Sequence, residues 1–177
     1  FEEALVPGSE EAFDLNELLE EYLDNYQNTH TLQLFQIDRP GQPILMDGWP
    51  YAIEQLLDNL LNNAVDYCYP GIPIEVRISL SNNPPHKPGS KRNVEISILN
   101  QGAPIDQEIH DTLFESMVSS RKESNPERPH LGLGLYIVRL VATHHGGKVT
   151  ARNRTEVEGS CFTVTLPLLA DTPQPTV

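Results

Sequence analysis

A chain of 177 residues with 38% hydrophobic content and a formal net charge of −13 has the size of one ordinary domain and the composition of a folded, soluble protein. That acidity excludes a general nucleic-acid binder, which needs clustered lysine and arginine, and no apolar run approaches the roughly 20 residues that cross a bilayer. The two cysteines, Cys68 and Cys161, form no CxxC pair and no disulfide framework, which points to a reducing compartment, the cytosol.

The chain opens on the acidic Phe1-Glu-Glu-Ala-Leu5 without a basic leader segment, and lacks an initiator Met, so it is expected to be a fragment or a processed chain. Residues 1–12 read as an N-terminal linker and 169–177 as a frayed, proline-rich tail, around a domain at 13–168. Asp14-Leu-Asn-Glu17 has the form of a capping box, and Leu15, Leu18, Leu19, Tyr22, Leu23 and Tyr26 follow at helical spacing. Residues 31–38 alternate like a half-buried strand ending in Arg39-Pro-Gly41, and 44–46 are expected to pair with them across that turn. A second helix is predicted from about Trp49 to Cys68, with one apolar stripe through Leu56, Leu57, Leu60, Leu61, Ala64, Val65 and Cys68, stopped by Tyr69-Pro-Gly71.

Residues 74–80 and 94–99 form an expected hairpin whose connection, 81–93, reads as a mobile surface loop. A short helix around 107–114 precedes a polar, proline-bearing stretch at 116–130 with the character of a lid. Helical spacing resumes over 132–144 and is ended by Gly146-Gly147; strands at 148–153 and 161–166 close the chain. The pattern predicts an α+β, two-layer sandwich: one mixed sheet of about five strands with about three helices on one face.

Three places carry chemistry. Asparagine is a poor helix former, yet Asn59, Asn62 and Asn63 interrupt a Leu-rich helix; Asn59 and Asn63 share an edge, with Asp66 three residues further on. Either they flank the stripe in solvent, or their carboxamide oxygens serve a hard cation such as Mg²⁺. Leu131-Gly-Leu-Gly-Leu135 opens a helix after the polar loop; glycines there let free backbone N–H groups approach an anion. It is neither a Walker motif, since no GK[ST] follows, nor a Rossmann fingerprint, since no strand precedes it. Arg121, Lys122 and Arg128 lie in the preceding loop, where they are solvated or reach a triphosphate. The third place is Leu99-Asn-Gln-Gly-Ala-Pro-Ile105, where Asn100 can read the edge of a base and Gly102 leaves room for a ring.

In this order, Asn59–Ala64, Asn100–Ile105, Leu113-Phe-Glu115 and Gly132–Leu135 resemble the N, first glycine, F and second glycine boxes of histidine-kinase catalytic domains in the GHKL superfamily (gyrase, Hsp90, histidine kinase, MutL). His145-Gly-Gly147 and the closing 159–167 segment match as well, so the resemblance spans roughly residues 12–168. It implies the Bergerat ATP-binding fold with ATP and Mg²⁺ as cofactors. Asn63 would be the Mg²⁺ ligand, and Asn59 would help position metal or phosphate; both count as catalytic. Asn100 and Gly102 would hold adenine, and Leu131, Gly132, Leu133, Gly134 and Leu135 would meet phosphate through the backbone. Phe114 would anchor the lid, whose Arg121, Lys122, Arg128 and His130 would lie beside the nucleotide. Asp66, Tyr67, Ile105 and Ser160 complete the implied ATP-binding set.

Asn59 also stands where gyrase- and Hsp90-like members carry a water-activating glutamate, which favours transfer to a protein histidine over hydrolysis. Three positions depart from the family pattern: Asn100 replaces an aspartate, Pro104 a second glycine, and Asp66 a Lys or Arg. None of His30, His86, His110, His130, His144 or His145 sits in the H-[ED]-x-x-x-P pattern of a phospho-acceptor helix, and His144 and His145 read as structural. The resemblance therefore implies a catalytic domain acting on a histidine in a separate dimerisation domain, with a response regulator downstream. The fragment is expected to be monomeric and cytoplasmic, its parent a homodimer and an inner-membrane sensor. A degenerate nucleotide-sensing or docking module, and a serine kinase of the anti-sigma type, are the rival readings.

Overall fold

Alternation at period two in residues 74–80 and 94–98 carries directly into the sheet. The computed structural model describes residues 10–83, 91–115 and 133–169. Its strands are β1 (Glu11–Asp14), β2 (Phe35–Asp38), β3 (Leu45–Gly48), β4 (Ile74–Asn83), β5 (Lys91–Gln101), β6 (Lys148–Asn153) and β7 (Gly159–Pro167). Its helices are α1 (Leu15–Thr29), α2 (Pro50–Tyr67) and α3 (Gly134–His144). Five strands form a mixed sheet in the order β2-β4-β5-β7-β6, and β1 pairs with β3 in a separate ribbon. The β2–β4 pair is parallel and the other pairs are antiparallel. A parallel pair needs a long crossover, and α2 supplies it.

One face of the sheet is apolar. Ile74, Val76 and Ile78 of β4, Val94, Ile96 and Ile98 of β5, and Phe162, Val164 and Leu166 of β7 are buried there with the Leu stripe of α2. The opposite face is polar: Ser97 and Thr163 share a hydrogen bond of 2.9 Å, and Glu75 pairs with Arg154 at 3.0 Å. One apolar face against helices and one polar face to water is the α+β sandwich that the alternation predicted.

Helix ends follow local chemistry. Asp14 caps α1 by accepting from the Asn16 amide at 2.9 Å. Pro50 sits at the first position of α2, where its missing N–H costs nothing. Gly146, at φ +70°, ends α3: the amides of Gly146 and Gly147 return to the carbonyls of Thr143 (2.9 Å) and Ala142 (2.8 Å).

The expected hairpin between 31–38 and 44–46 does not form. Strand character is confined to Phe35–Asp38, and β3 pairs with β1, Phe13 opposite Met46. The cause is Asn16, whose Nδ2 donates to the carbonyls of Pro40 (2.8 Å) and Gln42 (3.0 Å) while its Oδ1 accepts from Arg39 (2.9 Å). With Ile44 N donating to Asp14 Oδ1 at 2.9 Å, these bonds tie the connection to the start of α1 and carry β3 away from β2. Residues 11 and 12, placed in the linker from sequence, are therefore strand. Leu169, placed in the tail, donates its amide to Leu45 O at 2.9 Å.

Strands β4 and β5 run on past the expected hairpin bounds, to the pair Asn83–Lys91; residues 84–90 lie outside the described residues. The helix expected at 107–114 shrinks to a 3-10 turn, His110–Thr112, because buried Leu113 and half-buried Phe114 turn into the core behind it. The lid expected at 116–130 lies outside the described residues, and α3 begins at Gly134.

Candidate functional site

Helix α2 separates its polar residues into two lines, each spaced by four. Glu54, Asp58 and Asn62 face α1: Tyr22 donates to Asp58 Oδ1, and Tyr26 Oη donates to Asn62 Oδ1 at 2.8 Å. Burial, with Asp58 beside it, raises the pKa of the Tyr22 phenol; burial, with Glu21 and Asp58 nearby, raises that of Glu54. Asn62 is thus a structural residue of the α1–α2 seam. The second line is Gln55, Asn59 and Asn63. Asn59 Nδ2 donates to Gln55 O at 2.7 Å, which commits its amide and leaves its oxygen directed toward α3.

The two helices meet there. A Cβ built on Gly134 would stand 2.9 Å from Asn59 Oδ1, so the glycine that opens α3 lets its backbone sit against this edge. Leu133 precedes it as N-cap without a side-chain cap bond, and Ile137 N makes the first helical bond, to Leu133 O, at 2.9 Å. The amides of Gly134, Leu135 and Tyr136 have no acceptor inside the helix and carry its positive pole. Asn63 is half-buried one turn beyond Asn59, and its carboxamide has no hydrogen-bond partner among the described residues. No cluster of three His, Cys, Asp or Glu among the described residues is arranged for a metal. Two carboxamides on one edge offer hard oxygen donors of the kind that Mg²⁺ takes.

The other end of α2 abuts the end of β5. Gly102 bridges to Cys68, Tyr69 N donates to Gln101 O at 2.8 Å, and a Cβ on Gly102 would lie 1.7 Å from Tyr67 O. The first role of this glycine is therefore the close approach of α2 to β5, a different reason from room for a ring. Beside it, Asn100 is 1% exposed; its Oδ1 accepts from Ser160 Oγ at 2.7 Å, and its Nδ2 is buried without a partner. Tyr67 and Asp66 are exposed on the last turn of α2.

The turn after Gly102 is fixed by a residue that sequence reasoning missed. Asn153, ending β6, accepts from Ile105 N at 2.7 Å and donates to Ile105 O at 2.9 Å. Nothing in the sequence marked it beyond an asparagine at a strand end. Phe114 packs edge-on to Phe162 at 6.2 Å and 86°, seating the segment before residue 116 on the core. Arg121, Lys122, Arg128, His130, Leu131 and Gly132 lie outside the described residues.

The two adjacent histidines serve the scaffold. His145 is buried; its Nε2 accepts from Trp49 N at 3.1 Å and its Nδ1 bonds Val141 O at 2.8 Å, while exposed His144 lies with its ring 5.8 Å from that of Trp49. Burial lowers the pKa of His145, so it works as a neutral strut between α2 and α3. Both cysteines are free thiols.

The family described as histidine kinase-, DNA gyrase B- and HSP90-like ATPases matches residues 50–170, more than half of the chain. Among curated proteins, the chain is 33% identical to the sensor histidine kinase TrcS of Mycobacterium tuberculosis over 130 residues, 73% of this chain and 24% of that protein. It is 40% identical to the sensor protein KdpD of Escherichia coli over 114 residues, 64% of this chain and 11% of that protein. The chain thus spans at most about a quarter of these two relatives. Among solved structures, the mycobacterial sensor histidine kinase MprB superposes with a TM-score of 0.71 at 24% identity, over 90% of this chain and 98% of that one, a likeness of fold.

Proposed function

The chain belongs to the histidine kinase-, DNA gyrase B- and HSP90-like ATPase family, and from that membership we propose that it is the ATP-binding catalytic domain of a two-component sensor histidine kinase. Its task in this reading is to hold Mg-ATP for transfer of the γ-phosphoryl group to a histidine on a separate dimerisation domain. The observation that carries the reading is the arrangement along α2. The asparagine edge faces the start of α3, and Tyr67, eight residues from Asn59 and so about 12 Å along the axis, closes on Gly102 beside the orphaned amide of Asn100. A nucleotide lying along that edge has its base at Asn100, Ser160, Gly102 and Ile105, and its phosphates at Asn59, Gly134 and Leu135.

The chain's contribution is positioning and charge stabilisation, which dominate phosphoryl transfer. Helix α3 presents unpaired amides to the phosphates, and Asn59 and Asn63 supply oxygen ligands for Mg²⁺. When bound, the cation neutralises charge on the phosphate oxygens. The acceptor imidazole nitrogen bonds to the γ-phosphorus, the bond from that phosphorus to the bridging oxygen breaks, and ADP leaves; the imidazole sheds its N–H proton to solvent. No carboxylate stands at Asn59 to activate water, which protects the nucleotide from hydrolysis. In this reading Arg121, Lys122 and Arg128 are the cations that would reach the triphosphate, and His130, Leu131 and Gly132 complete the ATP-binding set. A response regulator takes the phosphoryl group onward. The parent is a homodimer that carries this domain on the cytoplasmic side of a membrane; no helix among the described residues is itself long and apolar enough to cross one.

Calorimetric titration with ATP, with and without Mg²⁺, followed by transfer of labelled γ-phosphate to a supplied histidine-bearing helical domain, tests this. The expected product is acid-labile and absent with Asn63→Ala. An acid-stable product would mean a serine kinase. Asn100, Pro104 and Asp66, which depart from the family pattern, favour one second reading, a degenerate nucleotide-sensing or docking module without kinase activity; absence of binding up to millimolar nucleotide would put its docking form in the lead.

A further inference from the structure

Among the described residues, one buried polar side-chain atom lacks a partner: Nδ2 of Asn100, in a side chain 1% exposed. A buried donor is expensive to leave unmade, so an acceptor is expected to meet it in the working state. The other end of the same carboxamide is held, by Ser160 Oγ at 2.7 Å. Gly102 lies alongside, where a Cβ would stand 3.3 Å from Nδ2.

A serine hydroxyl both donates and accepts, and a carboxamide turned through about 180° exchanges its NH₂ for its C=O. The pair therefore has two arrangements with the same number of bonds. In one, Ser160 donates to Oδ1 and the NH₂ faces the ligand. In the other, Ser160 accepts from Nδ2 and the carbonyl oxygen faces the ligand. Among the described residues neither side chain has a further side-chain hydrogen bond that would fix the choice.

We propose that Asn100 and Ser160 read the base without fixed polarity, so that the site accepts purine nucleotides bearing either a 6-amino or a 6-oxo group. The inference rests on the reading of this pocket as a nucleotide site. A 6-amino group donates to Oδ1 in one arrangement; a 6-oxo oxygen accepts from Nδ2 in the other. A site with a fixed acceptor rejects the 6-oxo base because two acceptors are left facing each other in a buried place. A reversible amide imposes no such conflict.

The test is calorimetric titration of the wild-type chain, with Mg²⁺, using ATP, inosine triphosphate and cytidine triphosphate. Inosine triphosphate carries the 6-oxo group without the extra 2-amino group of guanine. The expected result is ATP and inosine triphosphate binding within about tenfold of each other and cytidine triphosphate much more weakly. Asn100→Asp, shown to be folded by its thermal unfolding curve, should raise the ratio of ATP to inosine triphosphate affinity by about a hundredfold or more. The wild-type ratio decides the matter even where that variant fails to fold. Binding of ATP with inosine triphosphate about a hundredfold weaker would overturn the inference and leave the nucleotide reading standing. Equal binding of all three would show that the pair reads no base. No ATP binding would remove the nucleotide reading and the inference with it.

Discussion

Replacing Gly102 by alanine puts the joint between α2 and β5 under direct test. The new Cβ would fall 1.7 Å from Tyr67 O and 2.8 Å from Tyr67 C, both backbone atoms. Carbon–oxygen contacts close to about 3.3 Å at best, so the two segments must separate by roughly 1.6 Å. No rotamer change relieves this, because alanine has no side-chain torsion and a carbonyl cannot swing out of its peptide plane. Separation strains the 2.8 Å bond from Tyr69 N to Gln101 O and opens the bridge between Cys68 and Gly102. Overpacking strain of about 1–3 kcal/mol and a lost hydrogen bond of about 1 kcal/mol sum to about 2–4 kcal/mol. In a domain of this size that lowers the unfolding midpoint by about 5–15 °C. Gly41→Ala is the control, since no atom lies within 4 Å of its Cβ position, and its effect should stay below about 0.5 kcal/mol. Urea denaturation followed by circular dichroism reads both variants. A Gly102→Ala protein as stable as Gly41→Ala would refute the close approach on which the base end of the proposed site depends.

The paired asparagines should part company on mutation. Asn62→Ala removes the 2.8 Å hydrogen bond that the Tyr26 hydroxyl donates across the α1–α2 seam and should cost about 1 kcal/mol with nucleotide affinity unchanged. Asn63→Ala should leave stability within about 0.5 kcal/mol and abolish the Mg²⁺-dependent part of ATP binding; titrations with and without the cation, beside melting curves, distinguish the two. For Gly134→Ala the obstructing atom is Asn59 Oδ1 at 2.9 Å, the far end of a side chain that can swing away. Stability should therefore change by less than about 1 kcal/mol, while ATP affinity falls about tenfold or more because the displaced Asn59 carboxamide no longer holds its oxygen beside the start of α3; unchanged affinity would place the phosphates elsewhere. Burial depresses the pKa of His145 in the folded chain, so between its folded pKa and the ordinary histidine value of about 6.5 the unfolded state binds more protons. Its contribution is present above that ordinary value and drains away as pH falls toward the folded pKa, at up to about 1.4 kcal/mol per pH unit. His145→Gln should lose that slope in denaturant midpoints measured from pH 7.5 to 5, and an identical slope in both proteins would count against the neutral strut.

What the sequence showed and what it hid divide along a physical line. Elements specified by their own residues were legible: α2 starts and stops within a residue of expectation because Pro50 and the Tyr69-Pro-Gly71 stop are local signals. The β4–β5 pair was legible because strict alternation separates core-facing from solvent-facing residues on both strands, and a one-residue slip would reverse them. The failed hairpin was also inferred from a local signal, Arg39-Pro-Gly41, but the deciding bonds come from Asn16, more than 20 residues away in the chain. Three asparagines in a Leu-rich helix were visible as an anomaly. Their division into a seam residue and a site edge required the tyrosines of α1, which a helical repeat alone does not place. Asn153 stayed hidden for the same reason, since its two bonds to Ile105 cross between segments that no local pattern connects.

In the proposed site, that division of α2 keeps Glu54 and Asp58, though not Asp66, away from a bound polyanion. With a net charge of −13, a site lined at random would present carboxylates to phosphate. Helix α2 instead turns Glu54 and Asp58 toward α1, where Tyr22 occupies Asp58, and turns Gln55, Asn59 and Asn63 toward α3. The polar groups at the base end, Asn100 and Ser160, are neutral as well. Charges more than about 8 Å away are largely screened at physiological ionic strength, so what a bound nucleotide feels is its immediate lining. In the proposed site, carboxamides would supply oxygen to a cation and cost no repulsion against phosphate, which gives asparagine, a poor helix former, a physical reason to stand in the middle of a leucine-rich helix.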